Sequence, residues 1–139
     1  MEQPKKGMRR GFMGTYLWYC GAAVYDAQCK TEEQALKGPQ DARLGSDRLD
    51  ANDILWCNNA MAAHDVPPNL VKVNATVLMV GVVEDKLFPP EEASQPIADA
   101  IPGARLFLYG SPLGHLGCAV HLGKANEAIV KFIAETEKN

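Results

Sequence analysis

The stretch from residue 75 to residue 109 constrains this chain more than any other. Ala75-Thr76-Val77-Leu78-Met79-Val80 is short, almost wholly apolar and rich in β-branched residues. That pattern predicts a strand covered on both faces, as in a parallel sheet. A second run, Arg105-Leu106-Phe107-Leu108-Tyr109, follows a helical stretch closed by Pro102-Gly103. Strand, helix and strand thus fit in about 35 residues, the length and order of a right-handed parallel crossover. Pro96 interrupts the helical stretch, so Ser94 is the expected N-cap and the regular helix is placed at about 95 to 101. The last helix has the clearest periodicity, with Ala125, Ala128, Ile129, Phe132 and Ile133 on one face to cover the sheet.

The N-terminal half reads as helical. Met13, Tyr16, Leu17, Cys20 and Val24 fall at the spacing of a buried helix face within roughly residues 8 to 25. A polar connection follows, from Asp26 to Gly45, in which Thr31-Glu32-Glu33-Gln34 would cap a short helix stopped by Gly38-Pro39. A further helix is expected from an N-cap at Ser46 to about His64, with Asp47 and Asp50 suited to the positive end of its dipole. Lys5, Lys6, Arg9 and Arg10 ahead of an apolar run mimic an export signal. The aromatic, glycine-bearing character of that run favours a packed helix, with a cleaved leader as the alternative.

Composition narrows the partners. With 139 residues, 47% of them hydrophobic, the chain can build one modest core, and its net charge of -3 offers no basic stripe for a phosphate backbone. Nucleic acid and membrane are therefore not expected as partners. Cys20, Cys29, Cys57 and Cys118 form no C-x-x-C pair, so four reduced thiols in a cytoplasmic protein are expected rather than a zinc ribbon or redox site. Two strands and two helices leave edges and faces in need of partners, from a missing N-terminal part or from a second copy of the chain.

In open parallel sheets ligands bind beyond the carboxyl ends of the strands. The loops in question are Gly81 to Pro89 and Gly110 to Gly117. Asp85 on the first and His115 on the second are candidates for an acid that orients a histidine base. The bland alternative is a turn-closing aspartate and a surface histidine. Glu84 reads as a solvated bystander, and Trp18 and Trp56 as aromatic residues packed within the helical segment rather than pocket walls. Cys118, three residues from His115, is poorly placed to face both that imidazole and an oxyanion hole. His115, Cys118 and His121 form an H-x-x-C-x-x-H spacing whose members rotate around a helix and supply only three ligands, so no metal or other cofactor is expected.

Three stretches together resemble the homoserine O-acetyltransferase-like branch of the α/β-hydrolases. They are Arg48-Leu49-Asp50-Ala51-Asn52-Asp53-Ile54-Leu55, the spacing Gly81…Asp85…Pro89, and Ser111-Pro112-Leu113-Gly114-His115-Leu116-Gly117. The resemblance is to the C-terminal half of that family and covers nearly the whole chain. It implies a partial α/β-hydrolase fold: a helical lid or cap over residues 1–66 and the C-terminal part of the core over 67–139. It implies Asp85 as triad acid, His115 as triad base, and a small-molecule ester or acyl substrate. A G-x-S-x-G nucleophile elbow is absent, and Ser46, Ser94 and Ser111 lie outside any strand-turn-helix setting, so the chain is expected to be inactive alone.

Overall fold

The structure is a computed structural model that describes residues 4–64 and 67–137. The expected division near residue 66 falls outside the described residues.

Two strands, β1 (Leu78–Val82) and β2 (Arg105–Tyr109), pair in parallel with Leu78 opposite Arg105 and Val82 opposite Tyr109. β1 starts three residues and ends two residues later than the apolar run suggests. Val77 contributes only its carbonyl, which accepts the Arg105 N–H at 3.0 Å, and pairing continues to Val83, whose N–H reaches the Tyr109 carbonyl. Four α-helices precede the sheet among the described residues, and the crossover helix, α5, spans Ser94–Ala100. Ser94 is its first residue rather than its cap, which is Ala93. Pro96 is tolerated because the first turn of a helix has no intrahelical use for its N–H. The core where strands meet helix is built from Val82, Tyr109 and Ala125, with Val80, Phe107 and Ile129 against them.

The C-terminal helix α7 runs from Asn126 to Thr136, after a short helix α6 (Gly117–Val120). Its apolar face is only partly used. Ile129 packs on the core, whereas Ile133, expected to be covered, is 48% exposed. Phe132 instead lies beneath the Arg105 guanidinium, 4.5 Å from the ring centroid, and Arg105 pairs with Glu135.

Residues 5–62 form four helices: α1 (Lys5–Tyr19), α2 (Ala22–Gln28), α3 (Glu32–Gly45) and α4 (Ala51–Ala62). The single helix expected over 8 to 25 is broken at Cys20–Gly21, where the backbone turns extended. Cys20 and Val24 are nonetheless buried, as the spacing predicts. The Thr31 hydroxyl does accept the Gln34 N–H at 3.2 Å, but α3 continues through Gly38-Pro39 to Gly45. An interior proline costs about 3 kcal/mol, and α3 packs along α1, so tertiary contact outweighs local propensity there. Ser46 caps no long helix. It opens a single tight turn, and the N-cap of α4 is Asp50, whose Oδ1 accepts the Asn52 N–H at 2.7 Å. Asp47 is taken by Arg9 of α1 in a two-pronged pair at 2.7 and 2.5 Å, which ties the α3–α4 turn to α1. Trp18 and Trp56 are 59% and 78% exposed, so the expectation that they pack within the helical segment is not met.

No helix among the described residues is long and apolar enough to cross a membrane. Cys20, Cys29, Cys57 and Cys118 are free thiols.

Candidate functional site

The loops that leave β1 and β2 meet at the carboxyl end of the sheet, and each is held by the chemistry of its first residues. Asp85 is 4% exposed, and its Oδ1 accepts the backbone N–H groups of Leu87 (2.8 Å) and Phe88 (2.9 Å). The side chain thus closes its own turn, an Asx-type arrangement that fixes the carboxylate plane. Its Oδ2 points across to the second loop and meets His115 Nδ1 at 2.8 Å. Asp85 therefore closes its own turn through one oxygen and reaches His115 through the other.

Burial raises the Asp85 pKa. The Phe88 N–H, the His115 imidazole and the Leu87 N–H together outweigh it and leave the carboxyl below its ordinary value. Asp85 is thus an ionised acceptor that selects the Nδ1–H tautomer of His115 and directs Nε2 away from itself. His115 is 24% exposed and lies between Tyr19 of α1, at 5.1 Å between ring centroids, and Phe88, at 5.4 Å. The two rings limit how the imidazole can rotate.

The second loop is positioned by a set of contacts that sequence reasoning missed. Glu84, read as a bystander, accepts the Ser111 N–H on Oε2 at 2.6 Å and so ties the two loops together. Ser111 is fully buried, and its hydroxyl lies 2.9 Å from His121 Nδ1 while accepting the Leu113 N–H at 3.3 Å. Tyr109 donates its hydroxyl to the Gly117 carbonyl at 2.9 Å, and Lys124 reaches the Gly110 carbonyl at 2.7 Å. Gly114 takes a left-handed φ of 59°, which turns the chain so that His115 faces Asp85. A Cβ at Gly114 would also lie 2.8 Å from the Gly21 nitrogen, so the break between α1 and α2 rests directly on this turn. The one sequence signal for these supports was position, since Glu84 and Ser111 each stand next to or near a strand end.

Cys118 approaches the same carboxylate, with Sγ 3.8 Å from Asp85 Oδ2. Burial raises its pKa, and the Asp85 charge and the hydrogen bond to it push the same way, so Cys118 is a proton-holding thiol rather than an activated nucleophile. The H-x-x-C-x-x-H spacing, from which no metal site is expected, does not gather its three side chains, because His121 turns to Ser111. Asp85, His115 and Cys118 instead come together, with their ligand atoms within 4.8 Å of one another.

No protein-family model matches the chain. It is 44% identical over 85 residues to a probable acyltransferase of Methanothermobacter thermautotrophicus, an alignment covering 61% of this chain and 26% of that protein. It is 31% identical over 91 residues to a homoserine O-acetyltransferase of Trichormus variabilis, covering 61% of this chain and 25% of that one. The chain therefore spans about a quarter of the length of these curated relatives. Among solved structures, esterase E22 superposes with a TM-score of 0.78 at 16% identity, covering 94% of this chain and 42% of the esterase. A bromoperoxidase from Bacillus anthracis superposes with a TM-score of 0.63 at 21% identity, covering 94% and 48%. The structural likeness fixes the architecture as part of an α/β-hydrolase fold.

Proposed function

We propose that this chain, a part of an α/β-hydrolase fold with homoserine O-acetyltransferase-like sequence, supplies the acid and base of an acyl-transfer or ester-hydrolysis site whose nucleophile lies elsewhere. Asp85 orients His115, and His115 takes the proton of a serine hydroxyl through Nε2 and later returns it to the leaving group. The carrying observation is the 2.8 Å contact from His115 Nδ1 to Asp85 Oδ2, with the other carboxylate oxygen already fixed by two backbone N–H groups. A carboxylate so restrained stabilises the imidazolium that forms on proton transfer without reorganising. Residues 1–66 act as a lid or cap, a reading supported by Tyr19 against His115 and by the Gly21–Gly114 contact. The substrate is a small ester or acyl compound, and the compartment is the cytoplasm.

The test is p-nitrophenyl acetate hydrolysis by the 139-residue chain and by its His115→Ala variant. Rates equal to buffer in both are expected, because an acid and a base without a nucleophile have no acyl-enzyme to form. Turnover lost on mutation would show that a nucleophile is present in this chain. A full reading frame with no G-x-S-x-G-type segment before these residues would overturn the enzymatic assignment.

A second reading, a non-catalytic module that pairs with itself or a partner, is favoured by surface. A protein of 15.1 kDa is expected to expose roughly 7,100 Å², whereas this chain exposes 9963 Å². Val83, Phe88 and Leu108 near the sheet are among the exposed apolar side chains.

A further inference from the structure

The geometry points to a second use of the same corner of the molecule: Asp85, His115 and Cys118 form a site for a borderline-soft divalent cation such as zinc, which binds in place of the acid–base pairing. The three side chains offer a carboxylate oxygen, an imidazole nitrogen and a thiol sulfur within 4.8 Å of one another. In a tetrahedral zinc site, neighbouring oxygen, nitrogen and sulfur ligands stand roughly 3.3–3.5 Å apart. Here Asp85 Oδ2 is 2.8 Å from His115 Nδ1 and 3.8 Å from Cys118 Sγ, so these two pairs bracket that spacing. The imidazole nitrogen and the sulfur lie within 4.8 Å of each other, so side-chain movements on the order of an ångström would bring all three to the spacing of a metal site.

The surroundings suit a cation in two further ways. Asp85 Oδ1 is occupied by the Leu87 and Phe88 N–H groups, which would orient the ligating carboxylate as outer-shell partners do in metal sites. His115 and Cys118 are both partly exposed at this site, so a cation can enter from solvent and a water can fill the fourth position. The charges and protons balance. The His115 proton moves from Nδ1 to Nε2, the Cys118 thiol loses its proton to solvent, and the two negative ligands neutralise the divalent charge. The metal relieves the repulsion from Asp85 that disfavours the thiolate in the free protein.

The site goes beyond the acyl-transfer reading and does not depend on it. Its consequence for activity does: a cation on Nδ1 separates His115 from Asp85 and would hold the pair out of use.

Cobalt(II) titration of the full chain under reducing conditions tests the site directly. We expect a near-ultraviolet thiolate-to-cobalt charge-transfer band that saturates at one cobalt per chain and is displaced by zinc. Cys118→Ser should abolish the band with an unchanged far-ultraviolet circular dichroism spectrum, and His115→Gln should weaken cobalt binding about tenfold or more. No band, or the same band in Cys118→Ser, would overturn the proposal, the latter by assigning cobalt to Cys20, Cys29 or Cys57. Because none of these readouts uses ester hydrolysis, failure here and failure of the acyl-transfer reading are separable.

Discussion

At the scale of single residues, Asp85 does most to hold the site, and two measurements follow from its charge. Its folded pKa is depressed, so its contribution to stability is fully present above the unfolded aspartate value of about 3.9 and is lost as pH falls through the lower folded value. Asp85→Asn keeps the shape but removes the charge behind its hydrogen bonds. Urea unfolding at pH 7 should show the variant weaker by on the order of 2 kcal/mol, and the gap should close at strongly acid pH. A gap that stays constant with pH would mean the carboxylate charge is not what stabilises the loop. The same carboxylate restrains Cys118, so alkylation of Cys118 by iodoacetamide, followed by peptide mass spectrometry, should be faster in Asp85→Asn than in the parent chain. Equal rates would contradict the thiol–carboxylate contact. The meeting of Asp85 and His115 was legible in the sequence because both lie on loops that leave the carboxyl ends of neighbouring strands. Glu84 and His121 were not, since their roles arise from a 27-residue and a 10-residue separation closed only by the fold.

At the scale of elements, the lesson is where local rules gave way. β2 could be read with its observed bounds because Pro102-Gly103 and Gly110 punctuate it on both sides. The helices of the N-terminal half could not, because packing on α1 carries α3 past a proline and Arg9 claims Asp47 for a tertiary pair. Capping of α4 by Asp50 predicts that Asp50→Ala costs about 1 kcal/mol, read as a lower thermal midpoint by circular dichroism. A loss well below that would show that the cap is dispensable. Gly114 carries a sharper expectation. With φ at 59°, Gly114→Ala should cost about 1–2 kcal/mol for the left-handed conformation alone. The close approach of Gly21 adds to that, and the low-field Nδ1 proton signal of His115 should be lost with it. A variant with the parent's stability and imidazole spectrum would remove this turn from the account of how His115 is aimed.

At the scale of the molecule, a two-stranded parallel sheet with open edges and a sparse core is a poor end point for a chain of this composition. Light scattering over a range of concentrations should show self-association, with Leu108→Lys at the sheet reducing it. A monodisperse monomer at all concentrations would favour a fold content with its exposed surface. One joint has implications for whatever completes the structure. Between Gly21 and the Pro112–Gly114 turn the nearest approach is backbone against backbone, with the Pro112 carbonyl where a Cβ would have to be. Side chains are the compliant part of a protein interior, and at its closest point this joint has only backbone to yield. Force applied to the helical segment by a substrate, a partner or the remainder of a larger fold would therefore pass to the histidine turn undamped. Helices α1, α2 and α3, which pack on one another, would behave as a lever whose fulcrum is one residue from the imidazole.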